Sequence, residues 1–217
     1  MKKIVINKKG TSLVEVLIAL FILVISGTAI TTLLITSMHA ASISAEKLVA
    51  TNLAREGVEG VVNMVNTNWL RFPSNEKCWD VIDDQFTDVG DCTGKIEDDY
   101  YILKLYDGPV DSPFKWTLKS VGSGDDEELE LELEADNKEA MKKYCLQEFE
   151  GPPESREGLL LQDENPISCT KYYRQITVTY PGGEENKSME VTSKVQWLHS
   201  SEPKTVEATT TLYNEIY

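Results

Sequence analysis

Lys8-Lys9-Gly10-Thr11-Ser12-Leu13-Val14-Glu15, running into an apolar stretch that lasts to Ile35, decides how this chain is read. Between Leu13 and Ile35 there is one formal charge, Glu15. The run is about 23 residues, the length a helix needs to cross a bilayer and longer than the apolar core of an ordinary secretory signal. The site a secretory reading would cut at, His39-Ala40-Ala41-Ser42, is a weak one. A carboxylate at a bilayer centre costs about 2.5 kcal/mol or more, so Glu15 calls for something that compensates it. Lys2, Lys3, Lys8 and Lys9 precede the run, which predicts a cytoplasmic N terminus and places everything after Ile35 outside the cytoplasm.

Beyond the apolar run the helical pattern continues. Ile43, Ala50, Ala54, Val58, Val61, Val65, Trp69 and Phe72 recur at helical spacing, with Lys47, Arg55, Glu59 and Asn63 elsewhere on the helix. One helix is therefore expected from near Thr11 to near Phe72, about 90 Å long at 1.5 Å per residue. Pro73-Ser74 stop it. Gly57 and Gly60 lie in its second half, where each costs about 1 kcal/mol against alanine. They signify either close approach of another element or simple tolerance.

The remainder reads as β-rich. Residues 74–98 form a loop whose Trp79 and Ile82 can cap a core. Tyr100–Tyr106 and Phe114–Val121 flank a Gly/Pro turn cluster. In Glu128–Glu134, Leu129, Leu131 and Leu133 alternate with glutamates, which predicts a half-buried strand. Lys138–Phe149 reads as a short helix, and Gly151-Pro152-Pro153 and Asp163–Pro166 bound a long loop. Tyr172–Tyr180, Ser188–Leu198 and Thr205–Tyr213 read as three antiparallel strands, joined through Pro181-Gly182-Gly183 and His199–Pro203 and extended by the earlier pair.

The formal charge of this 217-residue chain is −15, and removing the four leader lysines takes it to −19. So acidic a head is a poor nucleic-acid binder and is repelled by anionic lipid. The four cysteines, Cys78, Cys92, Cys145 and Cys169, all fall beyond the apolar run, where an even number favours two disulfides. Of the three possible pairings, Cys78–Cys92 and Cys145–Cys169 each close a short local loop.

The basic leader, Gly10, the apolar run and a glutamate five residues past the glycine together closely resemble the class III signal of type IV prepilins and pseudopilins. The resemblance is specific over roughly residues 1–36 and architectural beyond them. It implies an α+β fold in which a long N-terminal helix packs its amphipathic second half on an antiparallel β-sheet head, a lollipop outline. It implies residues 1–10 as leader, 11–36 as transmembrane and filament-core helix, 37–73 as the amphipathic continuation and 74–217 as the extracytoplasmic head. A prepilin peptidase would cut after Gly10, leaving Thr11 first and Glu15 fifth. Other pilin subunits and an assembly platform would be the partners, with membrane lipid around the helix before assembly. The subunit would begin as a single-pass protein of the cytoplasmic membrane and end in an extracellular or periplasmic filament. The family usually begins its mature chain with an aromatic residue, often N-methylated; Thr11 departs from this, and methylation stays open. The proline that often interrupts the pilin membrane helix is missing between Thr11 and Phe72, Gly27-Thr28 being the one weak point.

No enzyme is read here. His39 and His199 lie just beyond the apolar run and in a turn, apart from any recognisable nucleophile motif, and no glycine-rich phosphate loop occurs. No cofactor is expected beyond calcium, for which Asp125 and Asp126 in a glycine-flanked turn are the candidates, with Glu127 and the Cys78–Cys92 loop acids Asp83, Asp84, Asp88 and Asp91 as further oxygen ligands. Major pseudopilins often hold calcium in a head loop; a solvated acidic surface is the competing reading. Asn186-Lys187-Ser188 matches a glycosylation sequon. The alternatives from other classes are a membrane-anchored binding protein or adhesin that never polymerises, and an anchored enzyme.

Overall fold

A computed structural model describes residues 13–72, 78–82, 94–106, 115–123, 130–134, 136–138, 141–148, 160–163, 166–181 and 188–214. Helix α1 spans Leu13–Arg71. Among the described residues seven strands follow: β1 (Asp99–Tyr106), β2 (Lys115–Ser123), β3 (Leu146–Glu148), β4 (Leu160–Gln162), β5 (Tyr172–Thr179), β6 (Ser188–His199) and β7 (Glu202–Tyr213). The chain divides at Glu46/Lys47 into two units. The first is the apolar part of α1, in which every described residue up to Ala45 is exposed. The second, Lys47–Tyr217, is α+β: the C-terminal part of α1 packs on one face of a five-stranded sheet ordered β2-β1-β5-β6-β7, all neighbours antiparallel. The small pair β3-β4 stands beside it.

The last three strands form the meander that the sequence predicts, and β1-β2 joins it through β5. The helix buries Ala50, Leu53, Ala54, Gly57, Gly60, Val61, Met64, Val65 and Asn68. This stripe is rotated from the expected one: Ile43 is exposed, Val58 and Trp69 are only half-buried, and both glycines lie at its centre. A Cβ on Gly57 would sit 2.9 Å from Ser193 Cβ and from Ile176 Cδ1, and one on Gly60 would overlap Leu103 Cδ2. Close approach, not tolerance, is why these positions are glycine. Asn68 earns its burial by donating from Nδ2 to the carbonyls of Trp79 and Val81, at 3.1 and 2.8 Å. Those bonds hold segment 78–82 over the end of the core, with Trp79 buried and Ile82 packed beside it.

Between residues 130 and 163 three expectations are corrected. Residues 130–134 keep the alternation, Leu131 and Leu133 buried and Glu132 and Glu134 exposed, yet they join no strand ladder. They lie on the sheet face away from α1, where the Leu133 N–H donates to Gln196 Oε1 at 2.8 Å and Glu130 pairs with Lys194 at 2.8 Å. Side chains of β6 thus replace the neighbouring backbone that a ladder needs. The segment read as a helix, Lys138–Phe149, holds a 3-10 turn at Lys142–Tyr144 and then β3, because Tyr144, Cys145 and Leu146 must all be buried in succession, which the single face of a helix does not allow. The loop expected ahead of Asp163 contains β4, whose Gln162 is buried.

Gln162 has a specific task. The β1-β5 ladder covers only Asp99–Tyr101 against Val178–Ile176. Past that point Gln162 fills the gap: its Oε1 accepts from the Leu103 N–H of β1 and from Arg174 Nε, both at 3.1 Å, and its Nε2 donates to the Arg174 carbonyl of β5 at 2.6 Å. Arg174, fully buried, extends the network to the helix through Nη1, 3.3 Å from the Leu53 carbonyl and 3.2 Å from Glu56 Oε1. Burial pulls its pKa down, and Glu56 acts against that. The network satisfies backbone groups that the split ladder would strand in the interior.

The loop expected between β6 and β7 is a two-residue turn. His199 pairs with Glu202, and Ser200 and Ser201 have φ of 53° and 69°. Positive φ at both central residues is the twist-matched hairpin geometry that favours Asn-Gly. Serine is strained there, so Ser201→Gly should raise head stability by about 1 kcal/mol; chemical denaturation of the full chain in detergent checks this, and a decrease would contradict it. Pro203 is tolerated because β7 is an edge strand.

Candidate functional site

The candidate site is the apolar part of α1. The described helix begins at Leu13, with Glu15 in its first turn. Its large apolar side chains are exposed throughout; Phe21, Leu23 and Leu33 are 67%, 66% and 69% exposed. This helix is long and apolar enough to cross a membrane. Its polar side chains are handled as an apolar environment requires. Ser26 donates to the Leu23 carbonyl, Thr28 to Ile25, Thr31 to Gly27, Thr32 to Thr28 and Thr36 to Thr32, at 2.9–3.1 Å. Each hydroxyl between Leu13 and Thr36 that could seek water is thus satisfied within its own helix, in the manner of membrane segments. Glu15 is the one charged side chain in that stretch.

Gly10 and Thr11 lie outside the described residues, as do the calcium candidates Asp125 and Asp126, Glu127, the loop acids Asp83, Asp84, Asp88 and Asp91, and Asn186-Lys187 of the sequon. Among the described residues no group of three or more His, Cys, Asp or Glu is placed to hold a metal. Cys145 and Cys169 are joined in a disulfide, Cα atoms 5.5 Å apart. Cys78 is also disulfide-bonded; Cys92, its expected partner, lies outside the described residues. His39 is exposed on α1, and His199 ends β6.

In the head, a cleft of about 250 Å³ is lined by Asp80, Lys95, Ile96, Glu97, Asp98 and Tyr180. The Tyr180 hydroxyl lies 2.9 Å from the Ile96 carbonyl and 3.3 Å from Asp80 Oδ2, and the Tyr180 N–H donates to Asp98 Oδ1 at 2.7 Å. Burial, with the Asp80 charge adding to it, pushes the Tyr180 phenol up. Burial likewise pushes Tyr101 and Tyr144 up to about 12. All three stay protonated at neutral pH and act as hydrogen-bond struts. Tyr180 pins the end of β5 to the segment that Asn68 also holds.

Sequence reasoning overlooked Arg174, Gln162 and Asn68. Asn68 alone had a signal, since it continues the 57, 60, 61, 64 stripe at helical spacing. Arg174 sits within an otherwise apolar β run, and Gln162 within what reads as loop. Comparisons with protein-family models, with curated proteins and with solved structures return no match.

Proposed function

We propose that this protein is a structural subunit of a type IV pilus-like or type II secretion-like filament, held in the membrane by α1 until assembly. The observation that carries the reading is the helix itself. One element, Leu13–Arg71, leaves its first part wholly exposed and apolar, satisfies the hydroxyls there internally, and buries only its last third against the sheet. A soluble protein does not leave so large an apolar surface uncovered. Lipid covers it in the membrane, and neighbouring copies of the same helix cover it in a filament core. In the mechanism, a peptidase cuts after Gly10, and assembly machinery draws the subunit from the bilayer. Packing against other helices then replaces packing against lipid chains.

Glu15 gives the reading its chemistry. Cutting after Gly10 creates an ammonium on Thr11, four residues before Glu15 and so on the same helix face. An unpaired carboxylate in an apolar bundle is strongly penalised; paired with the amine of its own or a neighbouring chain it is tolerated. A pairing between subunits would fix the axial register. N-terminal mass spectrometry of the membrane-associated protein should find Thr11 first, and Gly10→Ala should slow or block cutting. Met1 intact would overturn the proposal and favour the anchored binding protein; a start beyond Ala40 would overturn it as well, because the apolar helix would then be missing from the mature chain. Glu15→Val should leave cutting and disulfides unchanged while reducing incorporation into sheared filaments. Incorporation equal to wild type would remove Glu15 from the mechanism.

A further inference from the structure

The Cys145–Cys169 bond runs from the interior to the surface. Cys145 is fully buried, in the cluster with Ile102, Leu131, Leu133, Met141, Tyr144 and Tyr173. Cys169 is exposed, as are Ile167 and Ser168 before it and Lys171 after it. Ile167 is 95% exposed, so this stretch stands in solvent. It is nonetheless fixed. The Ile167 N–H donates to Gln147 Oε1 at 3.1 Å, and Thr170 donates to the Leu146 carbonyl from its N–H at 2.8 Å and from its hydroxyl at 2.6 Å. Cys169 is held at the surface between those two clips. Cys145 is held beneath it beside Tyr173, to which it makes an isolated bridge.

A disulfide is opened by a thiolate that attacks one sulfur and expels the other, so access decides which sulfur is attacked. The attack is in line with the S–S axis. On Cys169 Sγ it comes from the side opposite Cys145, which is the solvent side. On Cys145 Sγ it would have to come through the packed side chains of Leu131, Leu133 and Tyr144. The same asymmetry governs the leaving group. The expelled Cys145 sulfur stays among apolar side chains without water, where an anion is strongly disfavoured, so it leaves slowly and takes a proton as it does. It also stays opposite Cys169, because Thr170 remains tied to Leu146.

We propose that Cys169 is a thiol-exchange site: a small external thiol forms a mixed disulfide with Cys169 and not with Cys145, and Cys145 is the built-in resolving cysteine that restores the bond. The sulfur of the attacking thiolate bonds to Cys169 Sγ and the Cys145–Cys169 bond breaks. Its electron pair goes to Cys145 Sγ, which takes up a proton. The external sulfur is oxidised and Cys145 is reduced, so no further oxidant is needed. Exchange unlinks the 3-10 turn and β3 from the segment around Cys169, and the reverse attack by Cys145 relinks them. The chemistry is the same for a subunit held in the membrane and for one in a filament.

Reduced glutathione and the full chain in detergent test this. Partial reduction is quenched with acid, and the chain is unfolded, alkylated and mapped. Chains with glutathione on Cys169 and the alkyl group on Cys145 should outnumber the reverse by at least about tenfold. Single replacements give a second reading. Cys145→Ala, treated with glutathione disulfide while folded, should gain one glutathione on Cys169. Cys169→Ala should gain it on Cys145 at least about a hundredfold more slowly, since that sulfur waits for local opening, and rapidly once denaturant is added. Slow hydrogen exchange of the β6-β7 amides shows that each variant has folded, and the wild-type quench stands without them. Equal labelling of the two cysteines, glutathione mainly on Cys145, or a folded Cys145→Ala chain that takes none overturns the assignment.

Discussion

Removing the Cys145–Cys169 bond by double replacement with alanine should lower head stability by about 3 kcal/mol, the chain-entropy value for a loop of this size. The two residues are 24 apart in sequence. The bond stands where the fold has least ladder to rely on. Cys145 is fully buried in the cluster with Leu131, Leu133 and Tyr144, and makes only an isolated bridge to Tyr173. Next to it, Thr170 reinforces the link by donating from both its N–H and its hydroxyl to the Leu146 carbonyl, at 2.8 and 2.6 Å. β3 then carries β4, and β4 carries Gln162, which bridges β1 to β5. The loss should therefore be felt at the Leu103 amide, whose acceptor is the Gln162 side chain. Hydrogen exchange there should speed up well before the β6-β7 amides change. Denaturant unfolding of full-length protein in detergent gives the total. A change under about 1 kcal/mol, or uniform exchange across the sheet, would show that the bond is not what holds this corner.

Gly57→Ala should lower stability by about 2 kcal/mol, although alanine is the better helix former by about 1 kcal/mol. The sign decides between two readings of the same glycine. In open space the substitution would stabilise. Here the new methyl overlaps Ser193 Oγ and lies 2.9 Å from both Ser193 Cβ and Ile176 Cδ1, so α1 must lift from β5 and β6. That lift would also stretch the Arg174 contacts to Leu53, one turn earlier, and to Glu56, the preceding residue. Gly27→Ala is the control: nothing lies within 4 Å of the added Cβ, and the head should be unaffected. Gly57→Ala combined with Ser193→Gly should recover part of the loss, a non-additivity that marks direct contact. If Gly57→Ala raises the unfolding midpoint, the close approach is wrong.

What the sequence determined by itself is whatever follows from local pattern. The apolar run with its single carboxylate specified an exposed helix able to cross a membrane, since hydropathy over about 20 residues needs no partner to be read. Period 3.6 after it and period 2 near the C terminus specified the α+β class and the β5-β6-β7 meander. Short local loops pointed to the Cys145–Cys169 pairing. Tertiary structure decided the rest, because in each case the deciding partner is distant in the chain. Gly57 could be a flaw or a contact until Ser193, on another element, lay against it. Leu131 and Leu133 alternate as a strand does, but strand pairing needs a neighbour with free backbone groups, and Gln196 and Lys194 offered side chains instead. Gln162 and Arg174 carry no local signal at all: their worth comes from the gap between β1 and β5, which exists only once the sheet has formed and left buried backbone groups to be satisfied.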